Sequence, residues 1–156
     1  MTKIEAKLKQ MGYELPKVPM DMKYWARCKR AGDLIFMGTT GPWPIVNKTV
    51  KGKLQGVIGK DVTVEEAKFT CKMSALSILA ALKNELGDLD KIDKIVKLEI
   101  YLNGPSGDAD PYVAIADAAS ELFIELFGEN GRATRSVTPN LTNIVAELDM
   151  VVSVKD

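Results

Sequence analysis

Two runs near the C-terminal end decide the fold: Arg135-Ser136-Val137-Thr138-Pro139-Asn140, and then Ile144-Val145-Ala146-Glu147-Leu148-Asp149-Met150-Val151-Val152-Ser153-Val154. In the second run Ile144, Ala146, Leu148, Met150, Val152 and Val154 recur with period two, the pattern of a strand with one face against a core. The opposite face carries Val145, Glu147, Asp149, Val151 and Ser153. Two carboxylates among valines are too charged for a core and too apolar for a plainly solvated surface. Pro139-Asn140 between the runs is a turn signal, so the spacing predicts a tight hairpin that brings Arg135 next to the carboxylates. Chemistry is expected there.

Moving back from this run, Asp110-Pro111 supplies an N-cap and a proline for the first turn of a helix. Its stripe is Tyr112, Ile115, Ala116, Ala119, Leu122, Phe123 and Leu126, closed by Gly128. Before it, Ile95 to Asn103 alternates as a strand, with Val96, Leu98, Ile100 and Leu102 inward and Lys97, Glu99, Tyr101 and Asn103 outward. Thr63-Val64-Glu65-Glu66 has capping-box spacing and opens the clearest helix. Ala67, Cys71, Ala75, Ile78, Leu82 and Leu86 recur on it at three and four, and Gly87 is placed to end it.

The N-terminal third is more broken. Thr2-Lys3-Ile4-Glu5 caps a short helix with Ile4, Leu8 and Met11 on one stripe. Pro16 and Pro19 keep the following linker extended. Tyr24 to Arg30, a turn at Ala31-Gly32-Asp33, and Leu34 to Gly38 read as a β-hairpin, and Val46 to Ile58 as a third, more polar strand or an ordered loop. Two long helices on one face of a sheet, plus a short N-terminal helix, define an α+β layer arrangement in one domain, residues 1–156. The mixed second sheet face suits burial against another subunit, so a closed homo-oligomer is expected.

Composition narrows the function. Acidic and basic side chains balance to a formal charge of zero, which argues against nucleic acid or an anionic membrane as partner. Lys48, Lys51, Lys53 and Lys60 lack an aromatic ladder and read as solvated lysines. No apolar signal core or membrane-length run is present, and Cys28 and Cys71 lack paired spacing; a cytoplasmic protein with reduced thiols is expected. The chain has no histidine. That removes serine–histidine and cysteine–histidine machinery and the commonest zinc ligand, so any catalysis must use carboxylates, arginine, lysine, backbone groups or water. Without His/Cys ligand spacing no metal is expected, and carboxylate chemistry requires no other cofactor.

Gly32-Asp33-Leu34-Ile35-Phe36-Met37-Gly38 before a proline-containing loop, Glu85-Leu86-Gly87-Asp88-Leu89 closing a helix, the Ile95-to-Asn103 strand, and Gly131-Arg132-Ala133-Thr134-Arg135-Ser136 before an acidic last strand together resemble the RidA/YjgF family, also labelled endoribonuclease L-PSP-like. The N-terminal Ile4-to-Leu8 helix is similar to its longer-chain subgroup. The resemblance implies a chorismate-mutase-like fold, a homotrimer with clefts between subunits, and hydrolysis of enamines and imines derived from amino acids. It places the substrate-holding arginine at Arg135 and the water-positioning glutamate at Glu147. Where the family lines its cleft with tyrosine, serine and asparagine, this chain has Trp25, Met37 and Asp117. The connection from Arg135 to Glu147 is shorter than usual, which leaves open whether Glu147 or Asp149 faces the cleft.

The expected substrate is a small molecule with a carboxylate, because a guanidinium fork holds a carboxylate bidentately. Glu147 or Asp149 would position water, and backbone groups near Val137 would polarise the intermediate. Two other readings stand beside this one. Arg135 could form a structural ion pair with Glu147 or Asp149. The protein could also be a non-catalytic or diverged trimer that binds a small carboxylate or another metabolite in the same cleft. Ribonuclease activity is disfavoured by the neutral charge and the lack of histidine.

Overall fold

The apolar alternation of the last run places it near the middle of a five-stranded sheet. The computed structural model describes residues 2–43, 53–105, 109–140 and 142–155. The elements run α1 (Lys3–Gln10), β1 (Cys28–Ala31), β2 (Leu34–Met37), α2 (Val64–Leu86), β3 (Ile92–Leu102), α3 (Asp110–Phe127), β4 (Thr134–Pro139) and β5 (Ala146–Val154), with 3₁₀ turns at Leu89–Lys91 and Gly128–Gly131. The strand order is β1-β2-β5-β3-β4. Burial along β5 alternates at every residue, Ala146, Leu148, Met150, Val152 and Val154 being buried. A strand this apolar gains most between two partners, and β5 has β2 on one edge and β3 on the other.

The expected hairpin between the Arg135 run and the last strand does not form. β3 lies between them: β4 pairs parallel to β3, and β5 pairs antiparallel along the other edge of β3. The crossover sets the direction of β4, and β5 takes the place between β2 and β3 where both of its edges are paired. β3 leads into α3, and a strand–helix–strand unit returns the chain parallel to its first strand. The connection after β4 passes over the end of β3, held by Asn140 N–H to Leu102 O at 2.9 Å and Asn103 N–H to Val145 O at 3.0 Å.

α2 and α3 pack on each other and cover one sheet face, giving a core that includes Ile35, Cys71, Ile78, Leu98, Ile115, Phe123 and Met150. Thr63 and Glu66 form the reciprocal capping box of α2, and Gly87 closes it in the left-handed conformation at φ 75°. α2 is buried almost all round from Thr70 to Leu82 and not only on its apolar stripe. Its buried hydroxyls are all hydrogen-bonded. Thr70 donates to Lys53 O, Ser74 to Ala146 O, and Ser77 to Met73 O while accepting from Trp43 N–H. Gly131 permits a close approach, since an added Cβ would lie 2.1 Å from Phe123 O.

Several local expectations shift. The hairpin strand starts at Cys28, leaving Tyr24 to Arg27 outside it. Residues 46–52 of the expected third strand lie outside the described residues, and 53–58 make only isolated bridges, Gln55 with Ile144 and Ile58 with Val62. Asp110 is already helical, with Ala109 in the cap position. In β3 a register irregularity between Ile95 and Lys97 moves the phase, so Ile95 is buried and Val96 is 40% exposed. Val145, assigned to the mixed face of the last strand, is fully buried. No described helix is long and apolar enough to cross a membrane.

Candidate functional site

Glu147 stands on the side of β5 turned away from the helices, opposite Tyr101 in the β3 register. Its Oε2 accepts from Asn140 Nδ2 at 2.9 Å and from Thr142 Oγ1 at 3.1 Å. Oε1 has no hydrogen bond among the described residues. Beyond β2 the chain continues alongside β5: Thr40 and Leu148 exchange both backbone hydrogen bonds, at 2.7 and 3.0 Å. This brings Gly41 against Glu147, where an added Cβ would touch its Cγ at 3.6 Å and its Oε1 at 3.7 Å.

Two hollows meet at this carboxylate. One, of about 360 Å³, is lined by Trp25, Arg27, Thr39, Pro42, Trp43 and Glu147, together with Gly41 and Ile144. The other, of about 450 Å³, is lined by Thr39, Tyr101, Thr138, Asn140, Thr142 and Glu147, with Pro139. Both are in the size range of small-molecule sites. The backbone N–H of Trp43 donates to Ser77 Oγ at 2.9 Å, which ties this part of the loop to α2.

The residues singled out from the sequence fall into separate groups within one protomer. Trp25 (52% exposed) and Glu147 share the first hollow. Arg135 is on the other side of the sheet. It pairs with the buried Leu98, and its Nη1 donates to Asp117 Oδ1 at 2.7 Å and Ser120 Oγ at 2.9 Å on α3. Its ion-pair partner is thus Asp117, and not Glu147 or Asp149 as the sequence suggested. Val137 is exposed on β4, at the sheet edge. Met37 is 7% exposed and packs in the core, lining neither hollow.

Asp149 lies further along the open face in a second cluster. The Tyr101 hydroxyl is 2.6 Å from Glu99 Oε2 and 2.9 Å from Asp149 Oδ2, and Lys97 Nζ is 2.6 Å from Glu99 Oε1. One hydroxyl proton therefore lies between two carboxylates. Burial pushes the Asp149 carboxyl above its usual range, whereas Lys97 and Tyr101 hold Glu99 below its own. Hydrogen bonding to Glu99 is the main cause that raises the Tyr101 phenol.

Arg27, Thr39, Gly41, Trp43, Asn140 and Thr142 were not visible as site residues in the sequence. Thr39 to Trp43 had only a loop signature, and it is the pairing of Thr40 with Leu148 that carries the loop to Glu147. Among the described residues no three His, Cys, Asp or Glu are placed to share a metal ion.

A mixed sheet, backed by two long helices on one face and carrying a carboxylate between two hollows on the other, is the α+β arrangement of the chorismate-mutase-like type. More particularly, the chain belongs to the family described as "YjgF/chorismate mutase-like, putative endoribonuclease", whose model matches residues 5–155. It is 30% identical over 135 residues to Protein TCP17 of Trypanosoma cruzi, covering 85% of this chain and 81% of that protein. Among solved structures, a "putative endoribonuclease" from Shewanella oneidensis is 28% identical with a TM-score of 0.84, covering 99% of this chain and 100% of that one. A protein from Agrobacterium tumefaciens is 26% identical with a TM-score of 0.83, covering 98% and 94%.

Proposed function

We propose that the protein hydrolyses the C=N bond of a small imine, or of the enamine in equilibrium with it, with Glu147 as the group that handles water and protons. The observation that carries this reading is the Glu147 carboxylate itself. Asn140 and Thr142 fix Oε2, while Oε1, beside Gly41 at the edge of a hollow, has no hydrogen bond among the described residues. A carboxylate held this way can accept a proton from water as the oxygen adds to the imine carbon. It passes that proton to nitrogen to give the carbinolamine, then takes the hydroxyl proton as the C=O forms and delivers it to nitrogen as the C–N bond breaks, so a 2-imino acid and water give a 2-oxo acid and ammonia. The step needs neither histidine nor a redox partner.

The proposed working form is a homotrimer with clefts between protomers, in the cytoplasm, where Cys28 and Cys71 remain free thiols. Arg135 can hold the substrate carboxylate only if a neighbouring protomer's edge strand brings it to the hollow and Asp117 releases it. The Arg135–Asp117 bond at 2.7 Å is the observation that favours the second reading, a non-catalytic trimer binding a small carboxylate or another metabolite.

The test is to generate 2-imino acids in place with an amino-acid oxidase and follow their decay. Acceleration by the protein that is lost in Glu147→Gln supports the hydrolase. If no imino acid from several amino acids decays faster, the hydrolase is rejected and the binding reading stands. Light scattering after size exclusion checks the trimer, and RNA incubated in parallel should stay intact.

A further inference from the structure

We infer that Arg27 is the anion-binding residue of the hollow it shares with Glu147, and that the ligand held there is a small carboxylate whose apolar substituent lies against Trp25 and Trp43. Arg27 is 4% exposed and is the only charged side chain among the described residues classed as buried. Its Nε donates to Pro19 O at 2.8 Å, and its guanidinium carbon lies 5.2 Å from the centre of the Trp25 ring. No carboxylate stands within ion-pair distance of it among the described residues, whereas Arg135 is matched by Asp117 and Arg132 by Glu129.

A charge taken out of water is costly unless it is paired, and an aromatic face compensates only part of that cost. Burial accordingly lowers the pKa of this guanidinium. Its Nη groups make no hydrogen bond to any described residue, yet the side chain lines the hollow. An external carboxylate supplies both the counter-charge and the bidentate acceptor geometry that a guanidinium fork fits. The remaining wall is largely apolar, made by Trp25, Pro42, Trp43 and Ile144, so a flat or branched hydrocarbon substituent suits it better than a polar one. Glu147 at the same hollow can accept an N–H from the ligand. This last assignment rests on the hydrolase reading; the Arg27–carboxylate contact does not.

Both tryptophans of the chain line this hollow, so intrinsic fluorescence reports on it directly. We would titrate phenylacetate and its neutral amide, phenylacetamide, into the full-length protein. Phenylacetate should shift the fluorescence saturably, and the amide should bind at least about tenfold more weakly, as expected when a charge-assisted hydrogen bond is lost. Arg27→Gln should weaken phenylacetate by about 10- to 100-fold and leave the amide unchanged, with Arg27→Lys intermediate. Arg135→Ala should bind phenylacetate like the wild type.

Equal binding of acid and amide, no binding of the acid, or acid binding that survives Arg27→Gln and disappears in Arg135→Ala would overturn the inference. If Arg27→Gln fails to fold, the wild-type comparison of acid with amide, repeated in Arg135→Ala, still decides. Carboxylate binding through Arg27 without faster imine decay would reject the hydrolase alone. Faster imine decay with acid binding indifferent to Arg27 would reject this inference alone.

Discussion

Arg135 and Glu147 occupy opposite faces of one sheet. Arg135 is in register with the buried Leu98 and reaches α3, whereas Glu147 is in register with Tyr101 on the open face. The arginine and the carboxylate expected to share a site are therefore separated by the sheet in a single protomer, and each has its own partners.

The Arg135–Asp117 pair is partly exposed, with side-chain accessibilities of 23% and 49%. Solvent screening keeps such pairs weak, so a double-mutant cycle with Arg135→Ala and Asp117→Ala should give a coupling of about 0.2–1 kcal/mol. Chemical denaturation measures it. A coupling of several kcal/mol would mean that the pair anchors β4 far more firmly than its exposure allows.

Glu147→Gln retains a side-chain oxygen that can accept from Asn140 and Thr142, but it cannot take a proton from water. Imine decay should fall by about 10²- to 10⁴-fold while the melting temperature stays close to wild type. Kinetics beside a thermal melt separates a chemical role from a structural one.

Gly131→Ala should destabilise the protein by about 1–3 kcal/mol, the usual range for overpacking. The new methyl would meet Phe123 O at 2.1 Å, and backbone cannot rotate away as a side chain can. Urea denaturation of the two proteins is the check, and an unchanged midpoint would contradict the packing of the 3₁₀ turn on α3.

Burial lifts the Asp149 carboxyl above its ordinary value of 3.8. A folded state with a raised carboxyl pKa binds more protons than the unfolded chain between the two values. The stability this group contributes is therefore complete below the unfolded value and is lost as pH rises through the folded one. Asp149→Asn should be more stable than wild type near neutral pH, with the gap closing as pH falls towards 3.8. Glu99, whose pKa is lowered, acts in the opposite sense, so only the difference between the two proteins isolates Asp149. Thermal melts across that pH range measure it.

The two thiols should be sluggish. Burial pushes Cys28 up to about 11, reinforced by Glu85 nearby, and Cys71 up to about 12. A two-unit rise cuts the thiolate fraction near neutral pH about 100-fold. A disulfide-exchange reagent should label the native protein far more slowly than free cysteine, and denaturant should release both thiols. Rapid native labelling of Cys71 would contradict its position in the core.

Local chemistry settled most of what the sequence could determine. Thr63, Glu66 and Gly87 fix the ends of α2 through backbone groups only a few residues away. The strict alternation from Ala146 to Val154 fixes which face of the last strand is buried before its neighbours are known. The resemblance carried by ordered motifs supplied the family. The tertiary structure alone decided which side chains meet. The crossover through α3 makes β4 parallel to β3, and the position of β3 between β4 and β5 separated Arg135 from Glu147 although they are close in sequence. Arg27 became a candidate for the opposite reason. Nothing in its sequence neighbourhood shows that folding buries it beside a hollow with no carboxylate within ion-pair distance among the described residues, because desolvation depends on the packing of distant segments, and these meet only once the chain is folded.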